Sequence, residues 1–170
     1  MNRRQTLLGI SALAGHALFP AVLEAAAAVR RSGGADAWQP ALIPLEARHL
    51  LGEVVETIIP ATDTPGARAA GVQIFVDLAL ARCVPPEGRA ATLQAIRTLT
   101  AEGFVTAAVE ARQRQLLALP PAAFALLKEL TILGYFSSEI GATQALSYDP
   151  VPGSYHGCTE LRPGQKAWAT

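Results

Sequence analysis

Residues 67–83 read ARAAGVQIFVDLALARC. Only Arg68, Gln73, Asp77 and Arg82 interrupt a run of small and apolar side chains. A helix that is apolar almost all round has to be surrounded by the rest of its chain. The stretch therefore predicts a buried helix from about Ala67 to Cys83, with other helices wrapped around it. Asp77 is the odd residue. A carboxylate inside such a helix needs a partner, and Arg68 or Arg82 is the expected one.

The flanking segments supply the wrapping. Upstream, PLEARHLLGEVVETIIP (44–60) carries Ala47, Leu51, Val54, Val55 and Ile58 at helical spacing, with Glu46, Arg48, Glu53 and Glu56 largely on the other face. Pro44 suits a first helical turn and Pro60 stops the helix. Between the two helices, Asp63 and Thr64 precede Pro65-Gly66, a turn signal in which Asp63 is a turn former or helix N-cap. Downstream, Pro85-Pro86 opens an element running to about Gln115, with Leu93, Ile96, Leu99, Phe104, Val105 and Val109 as its apolar positions. Gly103 divides it. After the break at Leu119-Pro120-Pro121, AAFALLKELTILGYF (122–136) places Phe124, Leu127, Leu130 and Gly134 along one stripe. A short helix then extends towards Leu146. No run of alternating polar and apolar residues bounded by hairpin turns competes. The expected fold is all-α: an irregular bundle of four to six helices over 44–146.

The ends differ from this body. Residues 147–170, SYDPVPGSYHGCTELRPGQKAWAT, are too rich in Pro and Gly for a helix and too aromatic for idle disorder. They predict an extended C-terminal arm lying on this domain or on another subunit. Residues 29–43 are mostly polar, Gly-rich and aperiodic, and read as a flexible linker. Residues 1–28 have a basic start at Arg3-Arg4, an apolar run from Thr6 to Leu23, and small residues at Ala25 to Ala28. That order is a secretory signal peptide. Gly9, Gly15, His16 and Pro20 interrupt the apolar run, which makes it a poor membrane anchor. The twin arginines point to the Tat route, although Thr6 stands where an aromatic residue or Leu is usual. Ordinary secretion and an uncleaved anchor are the alternatives. The Tat route exports proteins already folded in the cytoplasm.

Composition narrows the function. The chain has 14 basic and 14 acidic residues, and removing 1–28 takes only Arg3, Arg4 and Glu24. A near-neutral chain with no basic stripe is a poor partner for nucleic acid. Its length fits one domain. Hydrophobic residues make up 51% and charged residues only 16%, against a typical quarter. The surplus predicts an exposed apolar patch, the usual mark of a partner surface. The two cysteines, Cys83 and Cys158, form a disulfide in an oxidising compartment or stay as separate thiols; spacing does not decide.

Catalytic chemistry is sparse. Glu46, His49 and Glu53 share one helix face, either a divalent-metal site or a solvated surface. His156 lies two residues before Cys158, but a Cys–His pair needs a base within reach and a third group to orient it, and this pair lies in a flexible tail beside Gly157. There is no phosphate-binding glycine loop, nucleophile elbow or His-Glu-x-x-His zinc motif. No catalytic, cofactor-binding or metal residue is assigned.

Two longer stretches carry a likeness. ETIIPATDTPGARAAGVQIFVDLAL (56–80) contains an I-I-P-x-T-D-T-P-G-A-x-x-A-G-V turn leading into a helix. LKELTILGYFSSEIGATQALSYDPVPGSYHGC (127–158) contains a G-Y-F-S-S-E-x-G segment leading into a Y-x-x-x-P-G-x-Y-x-G-C arm. Both resemble the gluconate 2-dehydrogenase subunit 3 family, with Ser137 where Thr is common. The resemblance implies the small, Tat-exported subunit of a membrane-bound sugar or polyol dehydrogenase complex. It implies a large flavoprotein partner of the glucose–methanol–choline oxidoreductase type that holds FAD and does the catalysis. It also implies, in some complexes, a multihaem cytochrome c subunit. The site of action would be the periplasmic side of the cytoplasmic membrane. The expected contacts to the partner are the aromatic anchors Tyr135, Phe136, Tyr148, Tyr155 and Trp168, with Pro152; for Tyr135 and Phe136 simple core packing is the alternative. The competing readings are a free-standing periplasmic binding or scaffold protein, or a small enzyme using His156 and Cys158.

Overall fold

Helix α2 (Val72–Arg82) has eight of its eleven residues buried. A computed structural model describes residues 39–151, 153–154, 160 and 163–169. Helix α2 packs on α1 (Arg48–Ile58) and α5 (Pro121–Phe136), and those two helices in turn carry α3 (Pro86–Ala101) and α4 (Val109–Ala118). A 3₁₀ turn at Leu45–Ala47 leads into α1, another at Phe104–Thr106 joins α3 to α4, and a π turn at Gly141–Ala145 follows α5. Among the described residues the only β pairing outside these elements is an isolated parallel bridge, Ser147 to Trp168. The fold is an irregular all-α bundle, as the periodicity predicts.

The breaks fall where the backbone chemistry requires. Pro86 and Pro121 occupy the first turns of α3 and α5, where a missing N–H costs nothing. Gly103 has φ of 66°, a left-handed conformation open to glycine at little cost, and there the 85–115 element divides. Helix α2 begins five residues later than its apolar run suggests. Residues 67–71 wind a turn first, closed by Val72 N–H to the Ala67 carbonyl at 3.1 Å. Gly71 then takes φ of 72° and separates that turn from the helix. Asp63 is a turn former and not a cap, because the helix start is displaced to Val72. Val109, grouped with the apolar positions above, is exposed at the first residue of α4.

The core is continuous. Leu51, Val54 and Val55 of α1 meet Val72, Val76 and Leu80 of α2, Ile96 and Leu99 of α3, and Leu127 of α5. Each such side chain contributes about 1.5–3 kcal/mol when fully buried. Helix α5 is the main contact of both α2 and α3. Its approach to α2 depends on Gly134: a Cβ there would lie 2.7 Å from Phe75 Cδ1 and 3.1 Å from Val72 Cγ1.

Asp77 is fully buried in α2, and its partner is not Arg68. Oδ2 accepts the N–H of Ala41 at 2.5 Å, and Oδ1 accepts those of Leu42 at 3.0 Å and Ile43 at 2.9 Å. Arg68 instead pairs with Glu53 of α1. The far end of the span read as linker is thus pinned to the core. Among the described residues, no helix is long and apolar enough to cross a membrane.

Gly134→Ala is expected to cost about 1–3 kcal/mol, because the added methyl displaces a core ring. The check is the midpoint of thermal unfolding followed by circular dichroism, which should fall by several degrees.

Candidate partner interface and the motif clamp

Tyr135 and Phe136 end α5 side by side and point to opposite environments. Tyr135 is only 2% exposed. Its hydroxyl donates to the Pro65 carbonyl at 2.8 Å and lies 3.3 Å from Thr64 Oγ1. It is therefore a core residue and not a surface anchor, because its polar tip is spent on the Thr64-Pro65 turn. Phe136 packs edge-to-face on the Tyr135 ring, with centroids 5.3 Å apart and planes at 81°. Its own ring remains exposed.

The turn that Tyr135 reaches is held from a second side. The Glu56 carboxylate of α1 accepts the Ala61 N–H at 3.0 Å and the Arg68 N–H at 2.9 Å. It lies so close over Gly66 that a Cβ there would meet it at 2.2 Å. The Ala67 N–H closes the loop onto the Ile59 carbonyl at 2.9 Å. At the other end of the clamp, Ser138 Oγ donates to the Tyr135 carbonyl at 2.6 Å and accepts the Gly141 N–H at 3.0 Å. Gly141 must be glycine here, since a Cβ would come within 1.9 Å of the Tyr135 carbonyl oxygen. The two motif stretches, about 70 residues apart in sequence, are thus one structural unit. Glu56, Tyr135 and Ser138 bond to backbone within that unit.

Of the remaining polar candidates, Glu53 turns inward. Glu53 is bound by Arg68 and by Arg112, the latter at 2.5 Å. Arg112 continues from Nε to the Phe104 carbonyl at 3.0 Å, joining α1, α4 and the 3₁₀ turn between α3 and α4. His49 Nε2 stays 3.9 Å from Glu53. Among the described residues no three His, Cys, Asp or Glu side chains are grouped to hold a metal ion. A cleft of about 270 Å³ beside His49 is shallow, and its polar lining, Glu46, His49, Thr100 and Thr106, is exposed. Asp63 is exposed at its turn. The Thr62 hydroxyl, donating at 2.9 Å, holds its carboxyl below the usual range, helped by Lys166 from the chain end. Cys83 is half-buried just past α2, and burial pushes its thiol up despite Arg82. A raised thiol is a weak nucleophile at neutral pH.

What the bundle leaves open is apolar. On the outer face of α5, Ile132, Leu133 and Phe136 are 39–47% exposed. Ala125, Lys128 and Glu129 complete an open groove of about 420 Å³ with the first two. Tyr148 and Trp168 are more than half exposed. They flank the bridge in which the Ser147 N–H donates to the Ala167 carbonyl at 2.8 Å and the Ala169 N–H donates to the Ser147 carbonyl at 2.9 Å. The end of the arm thus returns to its own base. Of the expected contact residues, Phe136, Tyr148 and Trp168 are exposed and Tyr135 is not. Pro152 and Tyr155 lie outside the described residues, as do Arg3, Arg4, His156 and Cys158, on which the signal, Cys–His and disulfide readings rest. Ile132 and Leu133 were missed by the search for aromatics. Their signal was there, at i, i+1 and i+4 to Phe136, opposite the stripe of Leu127, Leu130 and Gly134.

The family model for gluconate 2-dehydrogenase subunit 3 matches residues 46–118 and 103–153. Both halves of the clamp lie within those spans. The chain belongs to the gluconate 2-dehydrogenase subunit 3 family. Comparisons with curated proteins and with solved structures found no match. In this subunit 3 chain the described residues that carry the family likeness build the fold, and the outer face of α5 stays exposed.

Tyr135→Phe removes the clamp's hydroxyl donor and is expected to cost about 1 kcal/mol. Leu133→Ser, on the outer face, should stay within about 0.5 kcal/mol of the parent. Urea denaturation of both variants separates the two roles.

Proposed function

We propose that this chain is the non-catalytic small subunit of a periplasmic, membrane-associated, FAD-dependent sugar or sugar-acid dehydrogenase complex. Its role is to support folding, stability and Tat co-export of the large flavoprotein subunit. Membership of the subunit 3 family across residues 46–153 carries the reading. An accessory role in a dehydrogenase complex follows from that membership. FAD and the glucose–methanol–choline type of fold belong to the partner, and a multihaem cytochrome c belongs to a third subunit where one is present. A flavoprotein loaded with FAD in the cytoplasm must cross the membrane folded. If it lacks a signal of its own, a companion with twin arginines provides the address.

Two features of the chain support the reading. Among the described residues, Glu56, Tyr135 and Ser138 of the motifs spend their polar groups on the fold itself. The outer face of α5 exposes Ile132, Leu133 and Phe136, and the arm adds Tyr148 and Trp168. Permanent interfaces are larger and more hydrophobic than transient ones, and aromatic anchors dominate their energetics.

A tagged full-length chain is expected to co-purify with a flavin-bearing protein that has no export signal. Deleting the gene should strand that flavoprotein in the cytoplasm. A flavoprotein that reaches the periplasm unaided, or a chain that purifies alone and monodisperse, sinks the reading. Within the complex, the double change Leu133→Asp and Phe136→Asp should weaken partner binding by about tenfold or more. Far-UV circular dichroism should be unchanged, because neither side chain is in the core.

A further inference from the structure

The sequence Pro40-Ala41-Leu42-Ile43-Pro44 has three amide donors, because proline has none. All three go to one acceptor. The Ala41, Leu42 and Ile43 N–H groups converge on the Asp77 carboxylate, 34 to 36 residues further along the chain. Successive N–H groups closing on an anion form a nest, and here the chain supplies both the nest and the anion. Asp77 has no solvent exposure, and Ile43 is buried beside it. Leu42 packs on the core. The carboxylate reaches this place only when α2 is folded and packed, since it projects from the middle of that helix. Upstream, beyond residues 29–39, lies the segment whose sequence reads as an export signal.

We propose that Asp77 and the Pro40–Pro44 strap form a folding-dependent latch. It fixes the point at which the N-terminal segment leaves the domain, so that the segment departs from a set position only when the bundle is complete. The latch stands on its hydrogen bonds alone. Its consequence for export rests on the function proposed above. Translocation of folded cargo gains from such a device, because a chain with α2 unpacked has a loose strap. The flanking prolines serve the same end, restricting the backbone on either side of the three donors and leaving no competing N–H.

Hydrogen exchange of the full-length chain tests the latch. In the parent, the amides of residues 41–43 are expected to be protected by about tenfold or more over unstructured rates. Asp77→Asn replaces one acceptor oxygen with a donor, and should return those amides to unstructured rates while α5 keeps its protection. Because that variant perturbs a buried site, Ala41→Pro is the companion. It removes one donor at an exposed residue and should speed exchange at Leu42 and Ile43 by about threefold or more. Unprotected amides in the parent overturn the latch. So does full protection of Leu42 and Ile43 in Ala41→Pro. For the consequence, periplasmic delivery of Ala41→Pro should fall by about threefold at an unchanged folded fraction. Unchanged delivery, with protection lost, overturns the coupling to export. A parent chain that is not exported at all would instead overturn the earlier functional reading and leave the exchange result intact.

Discussion

A nearly all-apolar helix has no stable place at a surface, and the rest of this protein is arranged around that constraint. Helix α2 buries Val72, Ile74, Phe75, Val76, Ala79 and Leu80 against its neighbours. At about 1.5–3 kcal/mol for each large side chain, this burial outweighs any single polar contact in the chain. It also creates the chain's hardest electrostatic problem, because Asp77 is buried with them. Stripping a carboxylate of water costs several kcal/mol. One exposed ion pair, worth about 0–1 kcal/mol, would not offset that. Three hydrogen bonds to a charged acceptor, at about 1.5–3 kcal/mol each, do. The strap at residues 41–43 is where it is because α2 needs it there.

Helix α5 has the opposite character. One side carries Leu127, Leu130, Thr131, Gly134 and Tyr135 into the core, and the other leaves Ile132, Leu133 and Phe136 in solvent. A bundle element with apolar side chains on both faces is only half satisfied by its own chain. The family motifs secure the inner half. Tyr135 holds the Thr64-Pro65 turn, Glu56 covers Gly66, and Ser138 with Gly141 turns the chain away from α5. These contacts fix the angle at which the outer face and the arm are presented. The family signature thus specifies the shape of this end of the bundle.

The helices and most of their breaks were legible because they depend on local chemistry: apolar spacing of three and four, prolines at first turns, and the glycine at Gly103. The start of α2 was misplaced, since residues 67–71 have helix-forming composition and the left-handed Gly71 overrides it. Tyr135 was placed at the surface beside Phe136. Adjacent residues on a helix are about 100° apart, so one faced the core and the other did not. Aromatic character alone does not tell them apart.

The sequence by itself determined that the chain is a helical bundle, that a helix within residues 67–83 is buried, and that apolar surface is left over. Each of these follows from periodicity and composition, which are properties of neighbouring residues. Only the tertiary structure decided which groups satisfy Asp77, that Tyr135 reaches Pro65, and which face of α5 stays open. Those outcomes depend on segments 34 to 70 residues apart converging on one another. A backbone N–H makes the difference plain: every residue but proline has one, so no side-chain pattern marks the three that a buried carboxylate will claim.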